Sequence, residues 1–308
     1  MISSNYSDIS GWSNLKTVKT NQFYPKNIEE ILSIVNLAIA NKKQIAIRGN
    51  GCSFGDQSYL ENQITINLNR YNKIIEYNKN EKYIVVQSGI SLLDIYNLTI
   101  NDKLILESTP GGLQVSVGGA IANNIHGKDC FKNGYFKNNI ISLKLINPQG
   151  KLIEYNHLSK EKEFINLFGS MGLLSIVTEV KLKLKNIQSL LLDTETRKVK
   201  DIEEMVDCFN EENLNGYDYA VGWIDCFSKK NIGRGIFRKA KFSQNKKEII
   251  IKKMEQNKKF LFLPKKFMIS LLSFFYSRLI FKSLNFLIYN FYLVLNQYTF
   301  VLHFSKKV

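Results

Sequence analysis

Two glycine-rich stretches hold the residue types best suited to chemistry. The first, Arg48-Gly49-Asn50-Gly51-Cys52-Ser53-Phe54-Gly55-Asp56, follows the apolar run Gln44 to Ile47. Three glycines within seven residues let a backbone turn sharply and bring N–H groups against an anion. The stretch lacks GxxxxGK[ST], and its third glycine falls one residue late for GxGxxG. A tight surface turn is the plain alternative. The second runs Thr109-Pro110-Gly111-Gly112, then Val115-Ser116-Val117-Gly118-Gly119-Ala120-Ile121-Ala122-Asn123-Asn124-Ile125-His126-Gly127-Lys128, with five glycines in all. Its small residues permit close packing against a flat ligand or a long diphosphate. Read as a core turn instead, it would not need the polar His126-Gly127-Lys128 ending. Two such loops in one domain favour a dinucleotide site.

The other reactive residue types are scattered. Cys52, Cys130, Cys208 and Cys226 show no CxxC spacing, which excludes a zinc knuckle or a thioredoxin-type motif. His126, His157 and His303 lie far apart and form no HExxH, so no metal site is expected. His157 reads as a surface residue, His303 has no evident partner, and Cys130, Cys208 and Cys226 read as buried or half-buried thiols. Trp223 reads as core or pocket wall of a second domain.

Positioning the loops requires a mixed set of elements. Asn27 with Glu30 makes a capping box ahead of a helix whose face is Ile28, Ile31, Leu32, Val35 and Ile39. Strands are expected at Gln44 to Ile47, Ile64 to Leu68, Lys73 to Tyr77, Tyr83 to Gln87 and Leu104 to Glu107. A second capped helix follows Ser91, and a short one covers Ala120 to Asn124. Ile141 to Tyr155 reads as two strands joined at Asn147-Pro148-Gln149-Gly150, and Ser175 to Leu184 alternates as a further strand. Turn-paired strands mixed with helices argue for an α+β fold. A boundary near Lys185 to Leu190 divides residues 1–187 from 188–308. Beyond it come strand Leu190 to Lys198, helix Ile202 to Asn210, and strands Tyr217 to Phe227 and Gly235 to Phe242.

The 308 residues carry 44% hydrophobic and 22% charged side chains, which excludes a disordered chain, and four prolines exclude a collagen-like one. Lys229 to Lys266 holds 14 Lys/Arg against Glu248 and Glu255, so +12 of the net +15 falls in residues 229–266. The pairs Lys246-Lys247, Lys252-Lys253 and Lys258-Lys259 suggest a helix with a basic face. That face is either simply solvated or drawn to anionic lipid. No RNP, helix-turn-helix or zinc-finger pattern supports nucleic-acid binding. Ser283 to Ser305 is uncharged, but Asn285, Asn290, Asn296, Gln297 and His303 interrupt it, so buried helix and strand are expected rather than a membrane span. The cysteine usage, and an N-terminus without a basic stretch before an apolar run, suggest a cytoplasmic chain, peripheral on the inner face of the plasma membrane if the basic segment meets lipid.

RGNGCSFGD, TPGGLQVSVGGAIANNIHGK, NPQGKL and FGSMGLLSIVTEV together resemble the PCMH-type FAD-binding domain of the vanillyl-alcohol-oxidase superfamily, and within it the decaprenylphosphoryl-ribose oxidase family. Gly11-Trp12 and the segment Tyr219 to Cys226 with Trp223 fit the same pattern, and the resemblance covers roughly residues 8 to 245. It implies a two-subdomain FAD domain followed by a partial substrate domain. Residues 48–56 with Gly111, Ser116, Val117, Gly118 and Gly119 would hold the cofactor's diphosphate. Asn123, Ile125 and His126 would lie near the flavin ring, and Ile176-Val177 on the adenine side. His126 and Lys128 become the catalytic candidates, and Lys128 and Trp223 the substrate contacts.

Cys52 stands where many relatives carry a flavin-linked histidine, so FAD is expected to be noncovalent. Phe54 replaces a tyrosine common in the family. The activity implied is oxidation of a sugar hydroxyl, on a polyprenyl-phosphate-linked pentose with a short-chain reductase completing an epimerisation, or on a sugar lactone. A non-enzymatic basic surface-binding protein is the competing reading. The family's chains run past this point and return to the FAD domain with a lysine, and often a cysteine, so the resemblance also implies a C-terminally truncated chain.

Overall fold

The computed structural model describes residues 3–156, 158–159, 162–228, 232–244, 250–254, 259–260, 263–264 and 278–295. The chain divides into two compact units, Met1–Asn186 and Ile187–Val308.

In the first unit, β1 (Ser4–Ser10) and β2 (Thr17–Phe23) form an antiparallel hairpin. α1 (Ile28–Ala40) then carries the chain to β3 (Ile45–Arg48) and β4 (Ile64–Asn67). The sheet order is β1-β2-β4-β3, with β4 parallel to both neighbours. Parallel strands need a long crossover connection, and α1 lies in the one that runs from β2 toward β3 and β4. Asn27 caps that helix by accepting from Glu30 N–H, and the Glu30 carboxylate accepts from Lys26 N–H. The buried face is Ile31, Ile34, Val35 and Ala38. Ile39, expected on that face, is 54% exposed. The helix is apolar on nearly every side, so periodicity alone left its orientation open.

The second sheet is antiparallel, in the order β5-β6-β10-β8-β9. Its strands are β5 (Ile74–Asn78), β6 (Tyr83–Gln87), β8 (Ile140–Ile146), β9 (Leu152–Asn156) and β10 (Ile176–Lys183), and a short β7 (Leu104–Ile105) pairs with β11 (Lys185–Asn186). Four helices lie between these strands: α2 (Leu92–Thr99), α3 (Val117–Ala122), α4 (Cys130–Asn133) and α5 (Lys162–Leu167). The third helix begins three residues before its expected start, because Ser116 caps it through Gly119 N–H. One core cluster joins α1 and β4 to Ile146 and Ile176 of the second sheet, so the two sheets share a core. The first unit is thus α+β, built on two sheets.

The second unit holds an antiparallel sheet, β12-β14-β13, made of β12 (Leu192–Val199), β13 (Tyr219–Ile224) and β14 (Gly235–Phe242). α6 (Ile202–Cys208) and α7 (Glu211–Leu214) lie between the first two of these strands, and Val199, Met205, Cys208, Leu214, Ala220 and Phe237 make its core. A small pair, β15 (Lys259–Phe260) and β16 (Leu263–Pro264), precedes α8 (Arg278–Leu295). The basic helix expected across residues 246–259 is not found where the chain is described: residues 250–254 are irregular and Lys259 is in a strand. The β-branched run Ile249 to Ile251 is a poor helix former, consistent with that outcome. Cys226, expected to be at least half-buried, is exposed. His157 and His303 lie outside the described residues. Among the described residues no helix is long and apolar enough to cross a membrane.

Candidate functional site

A cavity of about 420 Å³ opens in the first unit where the two glycine loops meet. Cofactor clefts span roughly 300–1,000 Å³. The first loop leaves β3, and residues 49–55 line the cavity. Asn50 crosses to the second loop and donates to Gln114 O at 2.8 Å. Gly49 faces Ser116 so closely that a Cβ there would stand 2.0 Å from the serine Oγ. The loop is fixed from behind as well: Trp12 N–H donates to Ser53 O, Ser13 Oγ donates to Phe54 O, and the Trp12 and Phe54 rings meet edge-on at 4.8 Å.

α3 brings Ser116, Gly118 and Gly119 to the wall, and Asn123 and Ile125 follow. Gly118 N–H donates to Ser88 O at 2.7 Å, and Ser88 Oγ donates to Val177 O at 2.6 Å. The end of β6, the start of α3 and β10 are thereby tied together beside the cavity. No Lys, Arg, Asp or Glu is among the residues lining it. An anion held there would meet neutral donors, backbone N–H groups and the hydroxyl and amide side chains of the wall, rather than a countercharge.

Several expected residues sit apart from the lining. Arg48 turns under the first loop and donates to Ser58 Oγ and Ser10 O at 3.1 and 3.0 Å. Burial lowers its guanidinium pKa, with nearby tyrosines opposing. Val117 and Ile176 are buried core residues, while Asp56 and Gly111 lie outside the wall. His126 is exposed and meets Tyr135 edge-on at 5.9 Å. Lys128 is half-buried on the same loop. Trp223 is half-buried on β13 of the second unit, opposite Ile236. Burial pushes the Cys52 thiol up, with Arg48 opposing, so the sulfur is a poor nucleophile at neutral pH.

The sequence reading missed part of the wall. Leu167, Ser170, Met171 and Gly172 close one side, where Met171 N–H donates to Ala122 O at 2.8 Å. Gly169, Met171 and Gly172 all take positive φ there. Two glycines three residues apart after a helix were the available signal. Ser175 also lines the cavity, and its Oγ is buried without a hydrogen-bond partner. An orphaned hydroxyl costs about 1–3 kcal/mol, so a polar ligand is the natural partner. Among the described residues no group of His, Cys, Asp or Glu is gathered to hold a metal ion.

Comparison with known proteins identifies the ligand: the FAD binding domain family matches residues 22–156. Residues 22–156 are an FAD binding domain. The FAD domain, of the PCMH type, has homologues that include several named oxidases. An uncharacterized FAD-linked oxidoreductase of Mycobacterium tuberculosis is 31% identical over 166 residues, which is 52% of this chain and 36% of that protein. Decaprenylphosphoryl-beta-D-ribose oxidase of Mycolicibacterium smegmatis is 24% identical over 226 residues, covering 72% of this chain and 48% of that protein. L-gulonolactone oxidase of Bos taurus is 24% identical over 161 residues, covering 52% and 36%. The chain thus spans less than half the length of these relatives.

FAD fits the residues present. The glycine-lined wall admits close backbone approach, and Ser175 of the lining has a buried Oγ with no hydrogen-bond partner. Ser175→Ala is therefore expected to act in opposite directions on the two states. The flavin-free protein gains about 1 kcal/mol, while FAD binds about fivefold more weakly. Melting curves of stripped protein and a fluorescence titration with FAD check both signs.

Proposed function

We propose that this chain is the FAD-bearing part of an oxidoreductase that oxidises a hydroxyl of a polyprenyl-phosphate-linked pentose. The observation carrying the oxidoreductase reading is the neutral, glycine-walled cavity within the FAD domain. The substrate reading is supported by the ribose oxidase match, which reaches 72% of this chain against 52% for the gulonolactone oxidase. A sugar-lactone oxidase is the second reading, favoured by the bovine relative and by a putatively named D-arabinono-1,4-lactone oxidase of Neurospora crassa, 29% identical over 159 residues.

When bound, FAD supplies the hydride acceptor for an alcohol C–H. The chain's own residues bind and orient it. Residues 49–55, Ser116 and the Gly118-Gly119 turn would hold the diphosphate, the two glycines by admitting its close approach, since their N–H groups already donate to Ser88 O and Ser116 Oγ, and the Ser175 hydroxyl would supply a hydrogen bond to the cofactor. Ser88 holds the two walls in register. His126 and Lys128, just beyond the lining residue Ile125, are the candidates to take the hydroxyl proton. The protonated Cys52 thiol supports noncovalent FAD. A short-chain reductase would return the oxidised sugar to a hydroxyl of the opposite configuration.

The test is anaerobic mixing of the holoprotein with decaprenylphosphoryl-ribose and, separately, with L-gulonolactone. Flavin bleaching by the lipid-linked sugar alone supports the reading. Bleaching by the lactone alone replaces it with the second, and bleaching by neither removes both. Acid precipitation of the same holoprotein should leave all the flavin in the supernatant; yellow pellets would show a covalent bond.

A further inference from the structure

The charge of this chain is divided more sharply than its total indicates. Residues 1–228 carry 24 Lys/Arg and 25 Asp/Glu, and residues 229–308 carry 18 Lys/Arg and two Asp/Glu. No acid follows Glu255. Within this net-positive stretch lies α8, which carries Arg278 and Lys282 and no acid, and its two faces differ.

One face is fastened to the second unit. Asn285 Nδ2 donates to Asp225 Oδ1 at 2.9 Å, and the Phe281 ring stacks on Phe227 at 6.1 Å. The Tyr289 ring is flanked by the Arg234 guanidinium at 4.8 Å and the Lys198 ammonium at 5.0 Å. Arg234 in turn makes a two-pronged bond to the buried Asp225 carboxylate. These contacts fix the rotation of the helix.

The opposite face is apolar and exposed. Leu279 is 74% exposed and Leu287 50%, and Ile280, Leu284 and Phe286 are exposed with them. At about 100° per residue these five side chains fall within an arc of roughly 160°, which also holds the exposed Ser283 and the half-buried Asn290 and is bordered by Lys282. A soluble surface rarely presents so continuous an apolar stripe. The five exposed apolar side chains themselves offer no hydrogen bond to a phosphate or a base, which favours an apolar surface over nucleic acid. Apolar side chains within a net-positive stretch fit a surface that is both apolar and anionic.

We propose that α8 lies in the interface of an anionic lipid bilayer, with Leu279, Leu284, Phe286 and Leu287 entering the acyl boundary and Lys282 meeting headgroups. The contact is independent of the reaction assigned to the FAD domain. The test is co-sedimentation of the full flavin-loaded chain with vesicles of phosphatidylcholine, with and without phosphatidylglycerol. Binding should require the anionic lipid and weaken with salt. Leu279→Gln with Leu287→Gln should lower the partition coefficient at least about tenfold. If the double variant loses flavin or helical circular dichroism, Leu279→Gln alone is used, since that side chain is largely in solvent.

Undiminished binding by the variant overturns the proposal, and so does absence of binding to anionic vesicles. A vesicle-free dimer that the variant converts to monomer overturns it in favour of a second copy. Displacement from vesicles by an oligonucleotide that still binds the variant overturns it in favour of nucleic acid.

Discussion

Gly127→Ala is expected to lower the melting temperature of the FAD domain by about 6–12 °C and to yield protein depleted of flavin. A Cβ at Gly127 would stand 1.8 Å from Thr109 O and 2.7 Å from Asp129 Oδ1. The first obstacle is backbone, so no rotamer change relieves it. Gly127 also bridges to Pro110 across the mouth of the second loop, and Phe136 N–H donates to Ile125 O just before it. Separating Gly127 from Thr109 pulls on Ile125 and Asn123, which line the cavity. The cost belongs with the upper range of overpacking, about 3 kcal/mol or more. Thermal melting and the flavin-to-protein ratio after purification check it; a variant that melts with the parent would show that the loop yields freely.

Gly111→Ala is the internal control for that result. Nothing lies within 4 Å of a Cβ at Gly111. The flavin-free protein should therefore melt within about 0.5 kcal/mol of the parent. Any loss of FAD affinity in this variant reports contact with the cofactor itself, the role the family resemblance gives Gly111.

The two glycine loops were legible because their residue types are costly anywhere else. Glycines at 49, 118 and 119 are explained by the close approach of loop to loop and of α3 to Ser88. The capping box at Asn27 and Glu30 was legible for the same reason, since polar side chains at fixed spacing have few other uses. What stayed hidden was carried by ordinary residues. Ser88 and Ser175 join the wall through where β6 ends and β10 begins, and a serine beside a strand carries no mark of that. The face of α1 was misassigned at Ile39 because nine apolar residues crowd 13 positions, and only the shared core decides which four turn inward. The basic segment misled for a different reason: pairs six residues apart do not match the 3.6-residue period of a helix, and the described residues 250–254 are irregular.

Asp129→Asn should gain stability relative to the parent as the pH rises from about 4 to 7. Asp129 is fully buried behind the second loop. Its Oδ2 accepts from Thr109 N–H at 3.2 Å and from Asn133 Nδ2 at 3.3 Å, whereas Oδ1 is buried without a partner. Burial raises its carboxyl pKa above 3.8, and the hydrogen bonds from Asn133 and Thr109 and the charge of Lys185 only partly oppose this. The folded chain therefore keeps this proton to a higher pH than the unfolded chain does. Below about pH 4 both states are protonated and the site costs nothing through charge. As the pH rises toward the folded value the unfolded chain ionises first, so stability falls, and above that value the loss is constant. Asparagine keeps an acceptor for Thr109 and never ionises, so this loss is absent from the variant. Asp129→Ala behaves differently, because it leaves the Thr109 N–H and the Asn133 amide unpaired at about 1–3 kcal/mol. Urea unfolding of the three proteins across this range separates the cases. A parent that gains on Asp129→Asn as the pH rises would mean that the carboxylate is stabilised where it lies, and that the second loop is held by its charge rather than in spite of it.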